Sequence, residues 1–170
     1  MGTATLITVE QYLATSYRPD CDFVDGVVLE RNLGQKDHSK LQREVLAWFH
    51  ARRHEFRIAA FPEQRVRVSS RRFRIPDVCV TKLPEPDEQV FTAPPHICIE
   101  VLSPDDTFPR VQERFDDYLR MGVANIWLLD PDLRRGWIIT EKGHLAALDG
   151  VLRTQDGLVA MPIADLFSED

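Results

Sequence analysis

Two acidic residues set the strongest constraint on this chain. Asp77 follows Pro76, and 23 positions later Glu100 stands inside the apolar run Ile97-Cys98-Ile99-Glu100-Val101-Leu102. Burying an ionised carboxylate without compensation is so unfavourable that such a group pairs, takes up a proton or binds a cation. The flanking Ile, Val and Leu mark a central strand, so the fold must bring something to Glu100. If Asp77 lies on the adjacent strand, the two carboxylates can share one Mg²⁺ or Mn²⁺, ions that take oxygen ligands. The plainer alternative is that Asp77 shapes a post-proline turn and Glu100 pairs with an arginine.

Periodicity assigns the surrounding elements. Thr8-Val9-Glu10-Gln11 has capping-box spacing and opens a short helix. Cys21 to Val24 and Val27 to Glu30 flank Asp25-Gly26, the dipeptide suited to a tight hairpin turn. Leu41, Val45, Leu46, Trp48 and Phe49 recur at helical spacing between Asp37 and Arg53, with Asp37 or Ser39 as cap. Strands are predicted near 57–60, 64–68 and 73–80, followed by a Pro-rich loop through Pro94-Pro95. Phe108, Val111, Phe115, Tyr118 and Leu119 trace a second helix that Gly122 ends, with Asp105 and Asp106 as its caps. Ile126 to Leu129 is a further buried strand, and a hairpin near 136–148 and short strands complete the chain. Strand, helix and strand in this order around Glu100 imply neighbouring parallel strands. At 170 residues and 44% hydrophobic, the whole of 1–170 reads as one domain with its own core.

Cys21, Cys79 and Cys98 show no CxxC spacing and read as buried thiols, with neither disulfide nor zinc expected. The early acids Glu10, Asp20, Asp22, Asp25 and Glu30 argue against a signal peptide, and no run reaches membrane length, so a cytoplasmic location is expected. The net charge of -6 argues against nucleic-acid binding until its distribution is considered. Residues 40–74 carry ten Lys and Arg against three acids, a local +7 that leaves -13 elsewhere. Within that segment Arg65, Arg67 and Arg74 lie on a predicted hairpin with its arginines on one face, either a solvated sheet surface or a contact for phosphates.

Several stretches in fixed order carry a family resemblance. They are Asp22-Phe23-Val24-Asp25-Gly26, Gly34 with His38, Pro76-Asp77-Val78, Ile99-Glu100-Val101-Leu102-Ser103-Pro104, and Tyr118 with Gly122-Val123 leading to Trp127-Leu128-Leu129-Asp130-Pro131. This series, spanning nearly the whole chain, resembles the PD-(D/E)XK nuclease superfamily and, within it, the Uma-two family of restriction-endonuclease-like proteins. The resemblance implies an α/β (α+β) fold, a restriction-endonuclease-like core whose central mixed β-sheet is flanked by helices and preceded by an N-terminal β-hairpin. It implies a metal-dependent endonuclease that hydrolyses phosphodiester bonds, of DNA, with Mg²⁺ or Mn²⁺ held by Asp77, Glu100 and the backbone of Val101. Its partners would be nucleic acid and a second copy of the chain, because two symmetric sites can cut both strands of a duplex.

The superfamily carries a lysine two residues after the glutamate, where this chain has Leu102. In the branch it resembles, a basic residue stands instead four positions before the helix tyrosine, which here is Arg114 ahead of Tyr118. Asp77, Glu100 and Arg114 are therefore the expected catalytic residues. Arginine stays protonated, so Arg114 can stabilise charge but is a poor general base; the alternative for it is a surface ion pair with Glu113 or Asp117. His38 could position water or phosphate or merely face solvent, while Asp22 and Glu30 could supply a further acid. The missing lysine keeps open a second reading, a catalytically weakened module that binds nucleic acid or a partner protein.

Overall fold

The computed structural model describes residues 5–32 and 34–168. Its centre is a six-stranded sheet built from β3 (Ile58–Pro62), β6 (Val78–Lys82), β7 (Ile97–Val101), β8 (Asn125–Asp130), β9 (Arg135–Thr140) and β10 (Gly143–Ala146), in the order β10-β9-β8-β7-β6-β3. β7 and β8 run parallel and the other neighbours antiparallel. The mixed sheet flanked by helices is thus as expected. Helix α2 (Lys36–Phe56) covers one face and α3 (Phe108–Met121) the other, which explains why β6, β7 and β8 are apolar on both sides.

Side chains alternate between the two cores. Val78, Val80, Ile97, Ile99, Val101, Trp127 and Leu129 pack with Leu41, Val45, Trp48 and Phe49 of α2. Cys79, Cys98, Ile126 and Leu128 pack with Val111, Phe115 and Tyr118 of α3. Period-two alternation therefore directs Glu100 to the α3 side, while Asp77, in the bend just before β6, meets His38 of α2. The α2 core is closed by Leu152 of β11 (Val151–Arg153), Met161 of β12 (Ala160–Pro162), Val159, and Ile163 and Leu166 of a terminal 3₁₀ turn.

A second, four-stranded antiparallel sheet comprises β1 (Cys21–Val24), β2 (Val27–Glu30), β4 (Val66–Ser69) and β5 (Arg72–Arg74), in the order β2-β1-β5-β4. The expected hairpin turns through Asp25 and Gly26 at φ +50° and +99°. Helix α1 (Val9–Leu13), opened by the Thr8/Gln11 capping box, lays Tyr12 against Phe23 and Phe73.

Three expectations need correction. The single strand read over 73–80 is two strands in different sheets, β5 and β6, because Pro76-Asp77 turns the chain between them. Neither Asp37 nor Ser39 caps α2, whose N-cap is Gln35, and Thr107 rather than Asp105 or Asp106 begins α3. The hairpin arginines do not share one face either. Arg67 stands opposite Phe73, while Arg72 and Arg74 turn towards α3.

Arg74, expected to contact phosphate, is 2% exposed and hydrogen-bonded to Asp117 at 2.7 Å and Asp22 at 3.0 Å. With Glu113 also 3.3 Å away, its guanidinium sits in a buried network of carboxylates rather than on a surface offered to phosphate. Asp22 is consumed in the same way, since its other oxygen accepts the Ile75 N–H.

Candidate active site

Sheet register, rather than sequence distance, brings the two acids together. β6 and β7 pair Val80 with Ile97, Cys79 with Cys98 and Val78 with Ile99. Carried one residue further, that antiparallel register sets Asp77 across from Glu100. Directly opposed side chains have Cβ atoms roughly 4.5–5.5 Å apart, within reach of a shared ion. Each is 2% exposed.

Asp77 is held from every side. Its backbone carbonyl accepts the Gln42 side chain at 2.8 Å and the Glu63 N–H at 3.2 Å. One carboxylate oxygen is bound by the Arg31 guanidinium; the other accepts the Val101 N–H at 2.8 Å and lies 3.3 Å from His38 Nε2. Burial alone would raise the Asp77 pKa, but the His38 contact and the Arg31 charge outweigh it and hold the carboxyl below its ordinary value. His38 is shifted upward in return: burial opposes its charged form, and Asp77 more than compensates.

Glu100 is held differently. Tyr118 donates to its Oε1 at 2.6 Å, and Arg114 Nη1 stands 3.1 Å from Oε2 without hydrogen-bond alignment, so that among the described residues buried Oε2 has no hydrogen-bond donor. Burial pushes its pKa up to about 7; the Arg114 charge opposes the rise and the Asp77 charge adds to it. Arg114 and Tyr118 reach it together because they are four residues apart on α3 and share a helix face. Arg114 also pairs with Asp106 Oδ1 at 2.9 Å, an oxygen that accepts from Asn32 at 3.0 Å as well. The expectation that Arg114 reaches back to the sheet therefore describes its position, and a surface pair with Glu113 or Asp117 does not.

A pocket opens over this group, lined by Arg31, Asn32, His38, Gln42, Asp77, Val101, Asp106 and Arg114. Among the described residues no set of three or more His, Cys, Asp or Glu side chains forms a ready-made metal cluster. The residues present nevertheless fit one hydrated divalent cation. Asp77 lines the pocket and Glu100 stands across from it in the sheet register, with Oε2 lacking a hydrogen bond among the described residues, and Mg²⁺ is commonly held by one or two carboxylates with its remaining ligands from water and substrate.

Of the other expected contacts, Arg65 lies over the Tyr12 ring at 4.7 Å and 3.6 Å from Asp20, whereas Arg67 is exposed and bonds the Ser70 carbonyl. Neither joins this pocket. Arg31, Asn32, Gln42 and Asp106 were not anticipated. Gln42 carried a usable signal, its i+4 spacing from His38 on α2, while Asp106 was masked by its resemblance to a helix cap. Arg31, directly after β2, has no local signature.

The match to known proteins covers most of the chain. The model of the family described as "Uma2: Putative restriction endonuclease" matches residues 9–166. Among solved structures the chain is similar to a "putative nuclease belonging to DUF820" from Anabaena variabilis ATCC 29413, at 22% identity and a TM-score of 0.81, over 95% of this chain and 97% of that one. No curated protein matches it.

Proposed function

Since the chain belongs to the Uma2 family, we propose that it is a metal-dependent endonuclease that hydrolyses phosphodiester bonds of DNA at the Asp77–Glu100 site. The observation that carries this reading is the facing carboxylate pair with Glu100 Oε2 left without a hydrogen bond. Asp77, Glu100 and the Val101 backbone carbonyl would hold Mg²⁺ or Mn²⁺. Such a cation, when bound, acidifies water and offsets charge on the phosphate.

The chain's own groups supply the rest. Arg31, His38, Gln42 and the Glu63 N–H immobilise Asp77, so its carboxylate needs little reorganisation to serve as a ligand. Tyr118 orients Glu100 through Oε1, so the unpaired Oε2 would be the oxygen that meets the ion. Arg114, permanently charged, offers its guanidinium to the scissile phosphate, where charge builds in the transition state. Asp106 and Asn32 keep that guanidinium at the pocket wall. With no lysine at Leu102, Arg114 is the cation in this role, and it cannot remove a proton from water. A homodimer is part of the same reading, since two symmetric sites suit two strands.

The weakened-module reading draws on a specific feature, the neutralisation of each carboxylate by an arginine, Arg31 on Asp77 and Arg114 against Glu100. Calorimetric titration with Mn²⁺ separates the two. Binding in the wild type that Glu100→Gln and Asp77→Asn each abolish, with unchanged circular dichroism, supports the metal site; no heat even with DNA present leaves the weakened module. Cleavage gained in Arg114→Lys would mark the wild type as an attenuated enzyme.

A further inference from the structure

Positive charge in this acidic protein collects on one stripe of α2. Lys36, Lys40, Arg43, Ala47, His50 and His54 are spaced alternately by four and three residues, and all are exposed, as is Arg57, the left-handed C-cap that follows the helix. At 100° per residue the six helical positions fall within an arc of roughly 80°. Six of the seven are Lys, Arg or His, and none is acidic. We propose that this stripe is the track along which the phosphate backbone of duplex DNA lies as it enters the Asp77–Glu100 site. The inference deepens the nuclease reading and rests on it.

Three observations support the assignment. First, charge on α2 is segregated around the helix. Asp37, Glu44 and Glu55 cluster at roughly 80–100° from Lys36 on one flank. The opposite flank holds His38 and Gln42, the residues that grip Asp77. The basic arc therefore continues, without an intervening acid, into the side of the helix that faces the site.

Second, helix stability does not account for the stripe. Cations stabilise the last turn of a helix, which suits Arg53, His54 and Arg57, but they are unfavourable in the first turns, where the peptide dipoles are already positive. Lys36 and Lys40 stand there, beside an N-cap, Gln35, that makes no side-chain hydrogen bond. Among the described residues neither lysine, nor Arg57, has a carboxylate within ion-pair distance.

Third, the competing basic surface is largely spent internally. Arg72 and Arg74 of β5 are paired with Asp25, Glu113, Asp117 and Asp22, and Arg65 lies near Asp20. On the hairpin this leaves Arg67 and Arg71 exposed and bound only to backbone carbonyls, while on α2 Arg43 pairs with its neighbour Glu44 and Lys36 and Lys40 stay without a carboxylate partner among the described residues. From Lys36 to His54 the stripe runs about 27 Å at 1.5 Å per residue, somewhat less than one helical turn of duplex at about 34 Å.

The test is the salt dependence of binding to a labelled mixed-sequence 20-base-pair DNA duplex, by fluorescence anisotropy in EDTA, so that cleavage plays no part. The variant combines Lys36→Ala, Lys40→Ala, Arg43→Ala and Arg57→Ala; alanine favours helix, and these side chains are exposed, so the fold should be kept. A control combines Arg67→Ala with Arg71→Ala, the two exposed hairpin arginines. Each phosphate contact contributes about 0.9 to the slope of log affinity against log salt, so the α2 variant, which removes four cations, should lower that slope by about 3.6 while the control leaves it near wild type. An unchanged slope in the α2 variant, or a loss confined to the control, overturns the track and leaves the nuclease reading intact. No salt-dependent affinity in the wild type overturns the track together with DNA as the substrate.

Discussion

Glu100 and Asp77 stand across from one another, equally buried, yet their carboxyl groups are shifted in opposite directions. The difference lies in the donors. Asp77 receives a guanidinium, an imidazole and a backbone N–H, whereas Glu100 receives one phenol and a misaligned arginine. For Glu100 the folded pKa, about 7, lies above the unfolded value of 4.5. The native state then binds more protons than the unfolded chain across that window, so the group's contribution to stability falls as pH rises through it. In metal-free buffer Glu100→Gln should therefore be more stable than wild type at pH 8, by on the order of 3 kcal/mol, with the gap closing towards pH 5. Urea unfolding at both pH values measures this; a wild type more stable than the variant at pH 8 would mean that the Arg114 charge outweighs burial. The pair itself was legible in the sequence because an acid within an apolar run has few ways to exist. Its partners were not, because Arg31 is 46 residues from Asp77 and joins it only through tertiary packing.

Between elements, the least legible joint is the one that docks the four-stranded sheet onto α3. Alternation in Arg65-Val66-Arg67-Val68 correctly marks a strand, but nothing local says which arginines will meet an acid. Arg74 finds Asp22 on β1 and Asp117 on α3 at separations of 52 and 43 residues, and Arg72 joins the same cluster through Asp25 and Asp117. Removing one member of a buried ion network leaves the others uncompensated and typically costs 3–5 kcal/mol. Arg74→Leu should lower stability by about that much, and adding Asp117→Asn should recover part of it, since fewer buried charges then stand alone. Denaturant midpoints of the single and double variants decide the matter; additive losses would show that the network is not coupled. By contrast, the β1–β2 hairpin, the α3 end at Gly122 and the parallel β7–β8 pair could all be read ahead of the structure. Each is dictated by local chemistry or by chain order.

On the scale of the whole molecule, the face of the sheet under α2 is not finished by α2. Residues 151–166 add Leu152, Val159, Met161, Ile163 and Leu166 to that core, and Asp165 accepts the Trp48 indole N–H at 3.0 Å. The fit is close enough to dictate a residue on β9. A Cβ at Gly136 would come within 2.9 Å of Ile163 and 3.2 Å of Leu152, so the segment seats where that strand has no side chain. Short strands of this kind read from sequence as an appendage, because three-residue elements carry almost no periodicity. Burial gives them a different weight. At about 1.5–3 kcal/mol for each large apolar side chain, the five together represent roughly 7–15 kcal/mol, as much as the entire stability of a typical domain at about 5–15 kcal/mol. A chain ended after Gly150 should therefore lose its cooperative thermal transition by circular dichroism rather than melt a few degrees lower. The Asp77–Glu100 register would go with it, because Val78, Ile99 and Val101 flank the two acids and pack in that same core. If the shortened chain still unfolds in one sharp transition, the segment is an accessory layer, and the register of β6 and β7 is held by α3 and the ion network alone.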